Sequence, residues 1–166
     1  MLLPAPQAVT KRDPRKAKRF LEHAQTVADA RNYDYAIECY VNGLRHEPDN
    51  LAAHEALRDV ALKRKVSGGK PAGLKEKLLP GGGKDQVEKF LVAETLWAKD
   101  PTNPQLMVAA MERAVEVNEA EPDLQMQEVA HWIGELILES GSTRGKLNKA
   151  AYVKIRDRFA KIHSWD

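Results

Sequence analysis

Residues 17–50 read AKRFLEHAQTVADARNYDYAIECYVNGLRHEPDN, and this stretch decides the fold. Phe20, Ala24, Val27 and Ala28 recur at helical spacing. Just upstream, Asp13-Pro14 supplies an N-cap followed by proline at the first helical position, where a missing N–H costs nothing. Asn32-Tyr33-Asp34 then breaks the period and offers Asp34 as the cap of a second helix, whose face is Ile37, Tyr40, Val41 and Leu44. Pro48-Asp49-Asn50 ends that helix and can cap a third.

The intervals between Phe20, His23-Ala24, Val27, Ala36, Tyr40 and Pro48 match the W-x2-L-G-x2-Y, A-x3-F, P pattern. On those residues the segment resembles the tetratricopeptide repeat family, with His23 where Leu is usual and Val27 where Tyr is usual. The resemblance implies two closely nested antiparallel helices, with aromatics filling the groove and Ala24, Ala36 and Gly43 allowing close backbone approach.

Later landmarks extend the pattern. Pro101-Thr102-Asn103 repeats the Pro48-Asp49-Asn50 terminator 53 residues on (101 minus 48), 19 more than a 34-residue unit. The surplus falls in SGGKPAGLKEKLLPGGGK, residues 67–84, between a helix at Leu51 to Val66 and another at Asp85 to Ala98. Read as an insertion at the turn of the second pair, it lengthens a loop at slowly rising entropic cost. A third pair follows: a helix from Pro104 carrying Met107, Ala110, Met111, Ala114 and Val115, then one opened by Pro122-Asp123 carrying Met126, Val129, Trp132, Ile133 and Leu136. Gly141 to Gly145 reads as a loop. Finally AYVKIRDRFAKIHSWD aligns with RFLEHAQTVADARNYD, so the chain stops where another second helix is expected.

The expected architecture is all-α: antiparallel helix-pair repeats stacked as an α-solenoid, about three units plus one unpaired C-terminal helix. The boundaries are a basic tail (1–12), units at 13–48, 49–101 with the insertion 67–84, and 102–140, and a partial unit at 148–166. Tyr152, Ile155, Phe159 and Ile162 are left without a covering helix, which marks a piece of a longer array or a face that docks, another copy included.

The chain has 166 residues, 43% of them apolar, and a net charge of +2, enough for one folded core. Cys39 stands alone, so no internal disulfide or Cys-based metal site is expected. No apolar run approaches a membrane span, and MLLPAPQAVTKR is too short and proline-broken for a signal peptide, so a cytoplasmic location is the default expectation. Cations crowd Lys11 to Arg19 and Lys63 to Lys84, so a nucleic-acid-associated protein using the basic N-terminus and the insertion is the alternative reading. It ranks second because no aromatic is interleaved there to stack on bases.

No catalytic motif holds. Gly83-Lys84 lacks the preceding glycine of a phosphate loop, its place being taken by Leu78, and Asp85 follows where Ser or Thr is needed. Glu128 and His131 share the Glu-x-x-His spacing of di-iron bundles without a second such pair. Neither enzyme nor cofactor is expected. The resemblance implies instead a partner protein or peptide held on first helices. Register places Lys18, Leu21, Gln25 and Asp29, then Glu55, Asp59 and Lys63, then Gln105, Val108, Glu112 and Val115 on that face. A clamp for terminal carboxylates needs cationic donors, whereas the matching places hold Leu21, Gln25, Ala56, Gln105 and Ala109.

Overall fold

The computed structural model describes residues 12–77, 83 and 85–144, with the single residues 153, 156, 157 and 160. Within them every regular element is helical: α1 (Pro14–Asp29), α2 (Tyr33–His46), α3 (Leu51–Val66), α4 (Leu74–Lys77), α5 (Gln86–Lys99), α6 (Pro104–Ala120) and α7 (Met126–Arg144). None of these helices is long and apolar enough to cross a membrane.

Local chemistry sets the helix starts. The carboxylate of Asp13 accepts from the N–H groups of Arg15 and Lys16, Asn50 from Ala53, Asp85 from Val87, and Asn103 from Gln105, each satisfying donors that a helix leaves open. The second helix is capped two residues earlier than expected. Asn32 accepts from the Tyr35 N–H, which leaves Asp34 to pair with Arg64 of α3 at 2.8 Å. At the other end, α7 continues through Gly141 to Arg144, where a loop was expected. A mid-helix glycine costs about 1 kcal/mol, too little to stop a helix already packed along its length.

The first pair nests on small residues. Ala17, Ala24, Ala28 and Ala36 are buried, and a Cβ placed on Gly43 would meet Leu21 Cδ2 at 2.6 Å. The leading aromatic behaves otherwise than the resemblance implies. Phe20 lies on the outer side of α1, 36% exposed and stacked on the His46 ring.

The direction of each helix follows from which residues meet. Gln25 bonds Tyr40 and Leu21 faces Gly43, so α1 and α2 are antiparallel. Asp34 binds Arg64 near the far end of α3, so α2 and α3 are antiparallel too. Between α3 and α5 the partner numbers rise together: His54 with Glu94, Arg58 with Trp97, Arg64 with Lys99. These two helices therefore run in the same sense. The expectation of an antiparallel second pair with an insertion at its turn is overturned. Helix α5 pairs in antiparallel fashion with α2 instead, Arg45 meeting Glu88.

This orientation explains the surplus residues. Helix α5 has 14 residues and spans roughly 21 Å, and the chain leaving α3 near Lys99 must return along that length to begin α5. The connection from the end of α3 to Asp85 is thus a crossover. Its first part is fastened down, with Arg64 donating to the carbonyl oxygens of Lys70 and Lys99 and Glu76 of α4 paired with Lys99.

Beyond the crossover, α5 packs on α6 and α6 on α7, while α7 returns to touch α3. Helices α3, α5, α6 and α7 close a ring, and α1–α2 joins it through contacts of α2 with α3 and α5. The core runs through both parts and includes Ile37, Leu44, Leu57, Phe90, Leu91, Met107, Met111, Met126, Ile133 and Ile137. Each such side chain contributes about 1.5–3 kcal/mol on burial.

Replacing residues 67–84 by a four-residue linker tests the same-sense packing. Four residues span at most about 14 Å, so cooperative thermal unfolding by circular dichroism is lost, while an equally long Gly/Ser crossover keeps it. Full cooperativity with the short linker would mean that α3 and α5 are antiparallel after all.

Candidate functional site

The structure draws four of the eleven groove candidates around one phenol. Tyr40 of α2 donates to Gln25 Oε1 at 3.1 Å, and the Gln25 amide donates to Asp29 at 2.8 Å. From α3, Lys63 pairs with Asp59 at 2.8 Å. Burial first, then the charges of Asp29 and Asp59, push the Tyr40 phenol above its ordinary range. The hydrogen bond and charge of Asp59, joined by Tyr33 and Asp29, raise Lys63. Acidic groups thus flank an exposed lysine across α1, α2 and α3.

The other candidates separate. Lys18 is exposed and pairs with Glu22 at 3.7 Å, Glu55 is exposed, and Leu21 is half-buried over Gly43. Gln105, Val108 and Glu112 lie on α6, in the ring. Val115 is corrected: at 1% exposure it belongs to the core stripe with Met107, Met111 and Ala114, and Glu116, one residue on, takes the outer place and pairs with Arg113. Tyr152, Ile155, Phe159 and Ile162 lie outside the described residues.

A larger hollow opens where sequence reasoning placed nothing. Between the antiparallel α2 and α5 is a space of about 480 Å³ lined by Asp34, Ile37, Glu38, Val41, Asn42, Arg45, Thr95 and Lys99. A second, of about 200 Å³, shares Val41, Arg45, Thr95 and Lys99 and adds Leu91, Val92 and Leu96. Together they make a furrow with an aliphatic floor. Most of its charges are matched in place: Arg45 is held by Glu88 and Asn42, Lys99 by Glu76, and Asp34 by Arg64, while Glu38 is exposed at its edge. The furrow was illegible because it depends on which helix lies beside α2.

The most buried polar group is also new. His54 is fully buried, its Nδ1 2.5 Å from Glu94 Oε1 and its Nε2 2.7 Å from the Pro48 carbonyl oxygen. That carbonyl only accepts, so Nε2 carries a proton. Burial alone would depress the imidazole, but the Glu94 charge and hydrogen bond, the Pro48 carbonyl and Asp49 outweigh it and raise His54 above its ordinary value. Phe90 and Trp132 pack against the ring, and Arg58 lies over Trp97. A space of only about 10 Å³ adjoins the pair, room for no more than about one water. The pair holds α3, α5, α7 and the α2–α3 turn together. Two signals could have found it: His54 stands 34 residues after Phe20, in the slot of the leading aromatic, and Glu94 interrupts the apolar run FLVAETLWA.

Elsewhere, His131 faces Glu135 at 3.6 Å on exposed helix surface. Among the described residues no group of three or more His, Cys, Asp or Glu is placed to hold a metal. Comparison with family models, with curated proteins and with solved structures gives no match.

A raised imidazole contributes stability that is fully present below its unfolded value, about pH 6.5, and is lost as pH rises through the folded value. Melting temperature therefore falls from pH 6.5 upward in the native protein, and Glu94→Gln flattens that part of the profile. Glu94→Ala leaves the buried ring unpaired and costs about 3–5 kcal/mol in denaturant unfolding at pH 6. A Glu94→Gln profile that follows the native one would show that the pair carries no such contribution.

Proposed function

We propose that the chain is a non-enzymatic protein-binding module, a helical scaffold or adaptor that takes an apolar-faced segment of another protein between α2 and α5. The observation that carries this reading is the furrow itself. A floor of Ile37, Val41, Leu91, Val92 and Leu96 below a rim whose charges, Glu38 apart, are already paired suits a ligand helix that lays its aliphatic face inward. Because Arg45, Lys99 and Asp34 are satisfied at home, docking there strands none of these three charges, and the exposed Glu38 suits a basic side chain at the edge of the ligand.

In the finer reading, α1–α2 and α6–α7 act as tetratricopeptide-like pairs. The spacing from Phe20 to Pro48 and the close approach at Gly43 support it for the first pair. The face around Tyr40 is then a second contact zone, mildly acidic through Asp29, Glu55 and Asp59 and suited to basic side chains of the same partner.

Affinity capture compares the native chain with Val92→Arg plus Thr95→Arg in the furrow, and with Asp29→Asn plus Asp59→Asn on the Tyr40 face. Circular dichroism checks that each variant is folded. Furrow variants lose the captured partner at least tenfold, while the Tyr40-face pair weakens capture severalfold. Equal recovery with folded furrow variants refutes the assignment.

A further inference from the structure

Where α2 begins and α3 and α5 end, Arg64 gathers three segments: it pairs with Asp34 and donates to the carbonyl oxygens of Lys70 and Lys99. The segment from Val66 to Lys77 is thereby laid across that end. The Arg64 carbonyl accepts from the Gly69 N–H, Ala72 is buried, and α4 is tied down through Glu76 and Lys99. The segment is a fixed surface.

Its composition is unusual for an outer surface. Val66 is 90% exposed and Leu74 74%, the two most exposed large apolar side chains among the described residues. Between and beside them Lys70, Lys75 and Lys77 are exposed. Most nearby acids are spoken for: Asp34 by Arg64, Asp59 by Lys63, Asp100 by Lys65 and Glu76 by Lys99, with Glu38 exposed one turn along α2 from Asp34. Lys70, Lys75 and Lys77 remain as surplus positive charge.

We propose that this end of the molecule docks on an anionic lipid surface, the three lysines meeting lipid phosphates and carboxylates while Val66 and Leu74 enter the headgroup boundary. Lysines near such a surface gain from its negative potential, and aliphatic side chains gain by leaving water there. A nucleic acid would satisfy the lysines alone. It offers nothing to Val66 and Leu74, and residues 63–77 carry no aromatic side chain on which a base could stack. Such contact is peripheral and needs no spanning helix.

Vesicle sedimentation of the full chain, at low and moderate salt, decides the matter. The chain sediments with phosphatidylserine–phosphatidylcholine vesicles and stays in solution with phosphatidylcholine alone. Lys70→Glu, Lys75→Glu and Lys77→Glu together weaken vesicle binding on the order of a hundredfold or more. Val66→Ser with Leu74→Ser weakens it about tenfold, with unchanged helical dichroism because both side chains already face water. Absence of binding to anionic vesicles at low salt overturns the proposal. So does serine-variant binding equal to native, and polyuridylate competing as well against the serine variant as against the native chain would identify a general phosphate surface in its place.

Discussion

Same-sense packing of α3 against α5 is the constraint on which the rest of the molecule depends. Sequence neighbours in a helical array ordinarily reverse direction, since a short turn can only bring the chain back alongside itself. Here α3 and α5 both run the same way, and the buried His54–Glu94 contact lies on their seam. Once that seam exists, α5 must lie antiparallel to α2, the furrow between them must open, and residues 67–84 must travel the length of a helix. The ring closed by α6 and α7 follows from the same placement, because Trp132 of α7 reaches the His54 ring that α5 also covers.

A buried ionisable pair is a costly way to hold two helices together, because both groups leave water. What it supplies is direction. An aliphatic contact at the same place would tolerate sliding or reversal, whereas His54 is satisfied on both nitrogens only when Glu94 and the Pro48 carbonyl stand on opposite sides of the ring. Arg58 has a comparable part higher on the seam, lying over Trp97 and donating to the Pro101 carbonyl oxygen. The two contacts fix register as well as sense.

Much of what depended on neighbours in sequence was legible. Asp13 and Asn50 cap the helices that their positions announce, and the limits of α3 are those that periodicity gave, while Asp85, read as the first residue of its helix, caps it instead. The departures have physical causes that lie elsewhere along the chain. Asp34 was open to a capping role until Arg64, thirty residues away, is placed beside it. Val115 and Glu116 sit on adjacent steps of one helix, and only the position of the neighbouring helices decides which turns inward. The direction of α5 left no local trace at all: the Gly, Pro and Lys residues of the crossover read equally well as a loop. Of the candidate face, Gln25, Asp29, Asp59 and Lys63 do converge on Tyr40, because they lie on the run of α1 to α3, where neighbours in sequence pack antiparallel through short turns.

The crossover also has a consequence for how the chain comes together in time. Helices α1 to α3 touch through short connections, and so do α5 to α7, so each half can be assembled by contacts close in sequence, which form fast because little loop entropy is lost. The seam between the halves joins residues about forty positions apart, as in His54 with Glu94, and requires the whole crossover to be closed around it. During synthesis the first half emerges before any residue of α5 exists, so the carboxylate of Glu94 can reach His54 only after the whole connection between α3 and α5 has been made.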